Sequence, residues 1–236
     1  MAEVCVLSLR GWLESDVAPY LGFASAERRT TVSRFRAASD RNRSLWAELF
    51  ARWRIAETVK VPLPEIEIAH DEKGKPFCPE LPVSVSLSHS GAYLAVAVGK
   101  NALGVDVERR RKLNLSVSKR WFRPEEHAFL LSQPEEERAQ SFLRLWTLKE
   151  AALKFTGEGL SGGLETVDCF ALLEAAKTGT ADTLAGRSFP LDGAMAGIVA
   201  RREELPKIAR LFTLKRGGQG IYGDAFFAER DAILPV

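Results

Sequence analysis

Hydrophobic positions along the chain follow two periods. Residues 3–9 (EVCVLSL) form a short apolar run that predicts a strand. From about Ser39 to Val59 the period lengthens. Leu45, Trp46, Leu49 and Trp53 recur at helical spacing, with Arg41, Arg43, Glu48 and Arg52 on the other face, until Pro62 and Pro64 stop the pattern. Ser25 is a natural N-cap for a preceding helix through ERRTTVSRF. Residues 65–69 (EIEIA) and 83–90 (VSVSLSHS) alternate with period two, and 93–98 (YLAVAV) is continuously apolar, so a run of strands is expected. A GKNA turn leads into LGVDVE (103–108), a partner strand. Residues 116–132 read as helical, with Pro124 in a first turn. Residues 146–154 (WTLKEAALK) read as a helix lasting to Gly157. After Gly157, Gly159, Gly162 and Gly163 the character changes. VDCFALL (167–173), MAGIVA (195–200) and IARLFTL (208–214) then read as three strands. Strands and helices mix without regular βαβ alternation, which predicts an α+β fold. Their order suggests two comparable halves, 1–103 and 104–236, although no internal repeat is visible.

Bulk composition narrows the class. The 236 residues are 46% hydrophobic, ample for a core. A net charge of +2 is too mild to argue for nucleic acid. Cys5, Cys78 and Cys169 are scattered and odd in number, with no metal-ligand spacing. The first residues lack a basic segment followed by an apolar run, and no apolar stretch nears the roughly 18 residues a bilayer span needs. A cytoplasmic protein away from the membrane is the expectation.

The candidate chemistry lies in three stretches. Asp106 and Glu108 are two apart on a strand, so they share one face while Val105 and Val107 share the other. Carboxylates about 6–7 Å apart repel unless something positive compensates. Two readings stand: an exposed face balanced by Arg109 and Arg110, or a site for a hard divalent cation such as Mg²⁺. On the 146–154 helix, Trp146, Glu150 and Lys154 are each four apart and stack on one face. That arrangement suits either a surface ion pair above a buried indole or a third carboxylate with a phosphate-binding ammonium. His89 lies among Ser86, Ser88 and Ser90, followed by Gly91, where hydroxyls and an imidazole could meet a phosphate. No GxxxxGK[ST], GxGxxG or GxSxG occurs, so ATP hydrolysis, dinucleotide binding and serine-hydrolase chemistry lose their usual support.

Taken in order, GKPF (74–77), SLSHS (86–90), GVDVE (104–108) and WTLKEAALK (146–154) resemble the motif set of the Sfp-type 4′-phosphopantetheinyl transferases. The resemblance spans about residues 25–170. It implies a pseudo-two-fold monomer of two similar α+β halves, each a small, mainly antiparallel sheet packed with helices, with the active site between them. It implies transfer of the phosphopantetheine arm of coenzyme A to a serine of an apo acyl or peptidyl carrier protein. By the same resemblance, Asp106, Glu108 and Glu150 hold Mg²⁺, Glu150 or a water is the base, and Lys154 neutralises the leaving phosphate. His89 and Ser88 contact the coenzyme, Lys75 and Pro76 its adenine side, Arg28 and Arg43 its 3′-phosphate, and Lys149 a further phosphate. Glu126 resembles an acid that the family places near the site. The RRRK run at 109–112 reads as a solvated loop or as a contact for an acidic carrier, and Phe122 and Phe129 as core or as carrier-docking residues. A Mg²⁺-dependent nucleotide phosphohydrolase using the same carboxylates is the competing reaction.

Overall fold

The computed structural model describes residues 2–158, 163–217 and 220–236; Gly159 and Gly162 lie outside them. The chain opens with strand β1 (Glu3–Ser8). Helices α1 (Ala26–Arg34) and α2 (Ala38–Val59) follow, and the hydroxyl of Ser25 caps α1 by accepting from the Arg28 amide. Four strands come next: β2 (Ala69–His70), β3 (Pro76–Phe77), β4 (Ser84–Ser90) and β5 (Tyr93–Gly99). The second part runs β6 (Leu103–Arg109), α3 (Leu115–Trp121), α4 (Pro124–Ser132), α5 (Glu135–Thr156), α6 (Cys169–Thr178), β7 (Leu184–Leu191) and β8 (Ala194–Arg201). Strands β9 (Ala209–Arg216) and β10 (Ala225–Ile233) complete it.

The two halves share a topology. In the first, β1 pairs antiparallel with β5, and β5 with β4. In the second, β6 pairs antiparallel with β8, and β8 with β7. Each half is therefore a strand, a helical excursion containing a 22-residue helix, and a hairpin that returns to the first strand. The repeat lives in strand order. Strand β6 begins at Leu103, where the second half opens, yet the chain does not remain in that half. Strand β9 adds parallel to β1 and β10 adds beyond it, making a seven-stranded sheet ordered β10-β9-β1-β5-β4-β3-β2 beside the three-stranded β6-β8-β7.

Alternation along the strands explains the packing. Cys5 and Leu7 of β1, with Leu94, Val96 and Val98 of β5, face the Leu45–Trp46–Leu49–Phe50 stripe of α2. Val4 and Val6, with Tyr93, Ala95 and Ala97, face the small sheet and meet its Val105, Val107 and Ile198. Buried on both faces, β5 has no polar position to alternate, hence its continuous apolar run. Helix α5 covers the other face of the small sheet through Leu145, Leu148 and Ala152.

Three sequence expectations need correction. The VDCFALL segment is helical, because Asp168 accepts from the Ala171 amide and caps α6, whose apolar residues follow helical spacing. Residues 65–69 are mostly irregular, since Pro62 and Pro64 set a single 3₁₀ turn before the two-residue β2. The predicted 116–132 helix is two helices, because Arg123 precedes Pro124 and stays extended. Strands β7 and β10 fell outside the sequence expectation.

Candidate active site

Strand β6 carries its carboxylates on the face away from the inter-sheet core, and α5 crosses that face at very close range. A Cβ on Gly104 would collide with the carbonyl oxygen of Ala151 and stand 2.5 Å from the Phe155 amide nitrogen. A Cβ on Gly197 would lie 2.9 Å from the Thr147 carbonyl carbon. Only hydrogen fits, so the helix backbone rests directly on the sheet. The consequence is chemical: Lys154 Nζ reaches Asp106 Oδ1 at 2.8 Å. One turn earlier Glu150 faces the same carboxylates. Two turns earlier Trp146 stacks on Phe142 and Phe122, anchoring the helix.

Asp106 is 4% exposed. Its Oδ1 accepts from the Ser88 hydroxyl at 2.7 Å and from Lys154, while its buried Oδ2 has no hydrogen-bond partner. Glu108 Oε2 accepts from the Ser90 hydroxyl at 2.6 Å, with Arg111 3.8 Å away. The side chain of Glu150, in the middle of α5, makes no hydrogen bond or ion pair among the described residues. Its pKa is pushed up, first by burial and then by the negative charge of Asp106, with Glu108 adding to the effect and Lys154 opposing it. Glu150 thus senses the charge of both strand carboxylates, although among the described residues no three His, Cys, Asp or Glu side chains are gathered closely enough to hold a metal ion. An orphaned, buried carboxylate oxygen beside two more acids is a donor set that suits a hard dication.

Cationic groups surround this patch. His89, an exposed residue near the end of β4, has its pKa lowered by desolvation, then by the nearby charges of Arg43 and Lys154. Arg43 pairs with Asp40 and donates to the Gly91 carbonyl, and with His89, Gly91 and Arg109 it lines a cavity of about 790 Å³. Lys75 Nζ donates to the Phe155 carbonyl at 2.9 Å, and with Pro76, Lys154 and Gly157 it lines a smaller cavity of about 170 Å³. Arg28 is held by Glu48 and Ser44. Glu48 is buried in that cluster and is not on an exposed face as its helical position suggested.

Several sequence-predicted residues stand elsewhere. Lys149 is fully buried and points away from the carboxylates. Its Nζ meets Glu126 Oε2 at 2.7 Å and donates to the carbonyls of Leu164 and Val167. It cannot touch a phosphate in that position. Glu126, equally buried, also accepts from the amides of Arg123 and Cys169. The pair ties α4, α5 and the start of α6 together as structure. The signal was present in the sequence: Lys149 shares its helix stripe with Leu145, Leu148 and Ala152. Phe122 is buried, which removes it as a docking residue, whereas Phe129 is 36% exposed with its ring against Phe170. In the basic run, the Arg110 amide donates to Gly193, and Arg111 and Lys112 line a groove with Leu113, Val117 and Trp146. The close-approach roles of Gly104 and Gly197 were missed by the sequence reading, and Ser90, read there as a hydroxyl for a phosphate, donates instead to Glu108.

Two family models match in succession. One, described as 4′-phosphopantetheinyl transferase, N-terminal, covers residues 14–101, and one described as the 4′-phosphopantetheinyl transferase superfamily covers 102–193. The chain is 37% identical over 145 residues to the 4′-phosphopantetheinyl transferase psf-1 of Bacillus pumilus, covering 61% of this chain and 62% of the relative. It is 33% identical to the transferase ffp of Bacillus subtilis and 31% identical to Sfp of Bacillus subtilis strain 168, each match covering 62% of this chain and 66% of the relative. The chain therefore spans just under two thirds of the length of these relatives. The two models abut, carry one description and take in all four motifs; the chain belongs to the Sfp-like 4′-phosphopantetheinyl transferases.

Proposed function

We propose that this protein transfers the 4′-phosphopantetheine arm of coenzyme A to a serine hydroxyl of an apo acyl or peptidyl carrier protein, in a Mg²⁺-dependent reaction that releases adenosine 3′,5′-bisphosphate. One observation supports this reading above the others: motifs scattered over eighty residues meet at one place. Lys154 joins the helix motif to Asp106, Ser88 joins SLSHS to Asp106, and Lys75 joins GKPF to the end of α5. In this reading Asp106, Glu108 and Glu150 hold the dication. When bound, it neutralises charge on the pyrophosphate.

The chain's own residues supply the rest. The carrier serine oxygen bonds to the β-phosphorus of coenzyme A as the bond from that phosphorus to the bridging oxygen breaks. The serine proton passes to Glu150, directly or through a water, and a carboxylate whose pKa is raised by burial is the better base. Lys154 lies where it can meet charge on the departing bisphosphate. His89 and Arg43 are placed to hold the 3′-phosphate, with Arg28 behind them, and Lys75 with Pro76 borders the adenine side. Three free, buried cysteines fit a reducing, cytoplasmic setting, and no described helix is long and apolar enough to cross a membrane. We read the active form as a monomer, because all four motifs meet within one chain.

The test is mass spectrometry of apo carrier proteins incubated with coenzyme A, Mg²⁺ and the protein. A mass gain equal to one phosphopantetheinyl group, lost in Glu150→Gln, is the expected result. Coenzyme A breakdown with no adduct on any carrier would favour the phosphohydrolase.

A further inference from the structure

The face of β4 turned toward the second half carries Ser86, Ser88 and Ser90, and each meets β6 differently. Ser86 Oγ accepts from the Val105 amide at 3.0 Å. Ser88 donates to Asp106 Oδ1, and Ser90 donates to Glu108 Oε2 while accepting from the Arg109 amide at 3.1 Å. The two-residue period of one strand is thus matched to the two-residue period of the other. Two of the three candidate metal carboxylates, Asp106 and Glu108, thus have one oxygen tied to a serine of the opposite half. In Asp106 the remaining oxygen, Oδ2, is the buried atom without a partner.

We infer that Ser88 and Ser90 are positioning residues for the metal carboxylates. They hold Asp106 and Glu108 by one oxygen so that the other is presented at a fixed direction. This rests on the metal reading above and reassigns Ser88, whose hydroxyl is engaged by Asp106 and not free for the coenzyme. The physical basis is general. A short hydroxyl-to-carboxylate bond is charge-assisted, and it removes a torsion that the carboxylate would otherwise have to freeze when the cation binds. The arrangement also makes the cation site depend on docking of the two halves, since β6 supplies the ligands and β4 their orientation. Ser86 is the built-in contrast. It makes the same kind of inter-half contact but touches no carboxylate.

The experiment is equilibrium binding of Mn²⁺, as a spectroscopic stand-in, to the full chain without coenzyme A, followed by electron paramagnetic resonance of the free ion. Thermal midpoints are recorded alongside. Ser88→Ala and Ser90→Ala should each weaken Mn²⁺ binding by about 10–100-fold, the usual effect of removing a partner of a metal ligand. Ser90→Thr, which keeps a hydroxyl, should restore affinity. Ser86→Ala should lower the thermal midpoint and leave Mn²⁺ affinity as it was. Unchanged affinity in Ser88→Ala and Ser90→Ala, with binding lost in Asp106→Ala, overturns the inference and leaves the metal reading intact. Equal weakening in Ser86→Ala also overturns it, because half-to-half docking would then be the cause. Binding unaffected by Asp106→Ala overturns the metal reading itself. If Ser88→Ala does not fold, the Ser90→Ala and Ser90→Thr pair decides.

Discussion

At the residue scale, neighbouring positions on one helix carry opposite duties. Glu150 faces two other acids, and Lys149, one position earlier, is fully buried against Glu126. The raised pKa of Glu150 has a definite sign in stability. Between the ordinary carboxylate value and the raised one, the folded protein binds more protons than the unfolded chain, so metal-free stability falls as pH rises through that window. Glu150→Gln should remove this dependence and raise the melting temperature of the metal-free protein at neutral pH, which thermal scans across pH would measure. The buried pair acts the other way. Lys149→Met leaves Glu126 charged and uncompensated, and a loss of about 3–5 kcal/mol in chemical denaturation is expected. Arg123 and Cys169 amides remain to Glu126, so the Lys149→Met/Glu126→Gln double variant should be milder than the sum of its parts.

At the scale of elements, the contact of α5 with the small sheet decides the site. The spacing of Trp146, Glu150 and Lys154 puts three groups on one face, but that face reaches Asp106 only because β6 and β8 present glycine beneath the helix. Gly104→Ala must push α5 outward, since the obstacle is backbone and cannot rotate away. Overpacking of this kind costs about 1–3 kcal/mol or more, and carrier modification should fall further than stability does, because the Lys154–Asp106 contact opens. Denaturant midpoints and transfer rates measured on the same sample check both parts. An Ala at Gly22, which has open space around its Cβ and no left-handed backbone angle, is the control for any loss from glycine replacement alone.

At the scale of the whole molecule, the C-terminal strands belong structurally to the beginning of the chain. Strand β9 hydrogen-bonds to β1, and Phe212, Leu214, Tyr222 and Phe227 complete the core above α2. The Tyr222 hydroxyl donates to the Leu49 carbonyl at 2.7 Å, inside that core. These residues lie beyond 193, where the family models end. A chain ending at residue 206 would bare Trp46, Phe50 and an open edge on β1. It should lose its cooperative thermal transition and aggregate, as calorimetry and light scattering would show, although every candidate site residue is retained.

What the sequence by itself determined was short-range. Ser25 as a cap, the α2 stripe, the buried β5 run, the carboxylate face of β6 and the helix through Glu150 all depend on residues within about a turn of one another. Pattern and propensity encode such terms directly. The four motifs were legible for the same reason, and they located the family. What only the tertiary structure decided was which faces meet: that Ser88 and Ser90 engage the acids of the other half, that Lys149 turns inward, and that β9 and β10 return to the first sheet. Partners far apart in sequence are selected by packing of the whole core, and no local window records that choice. VDCFALL shows the boundary between the two. Its apolar run suited a strand or a helix, and a cap at Asp168 with a core to pack against made it helical.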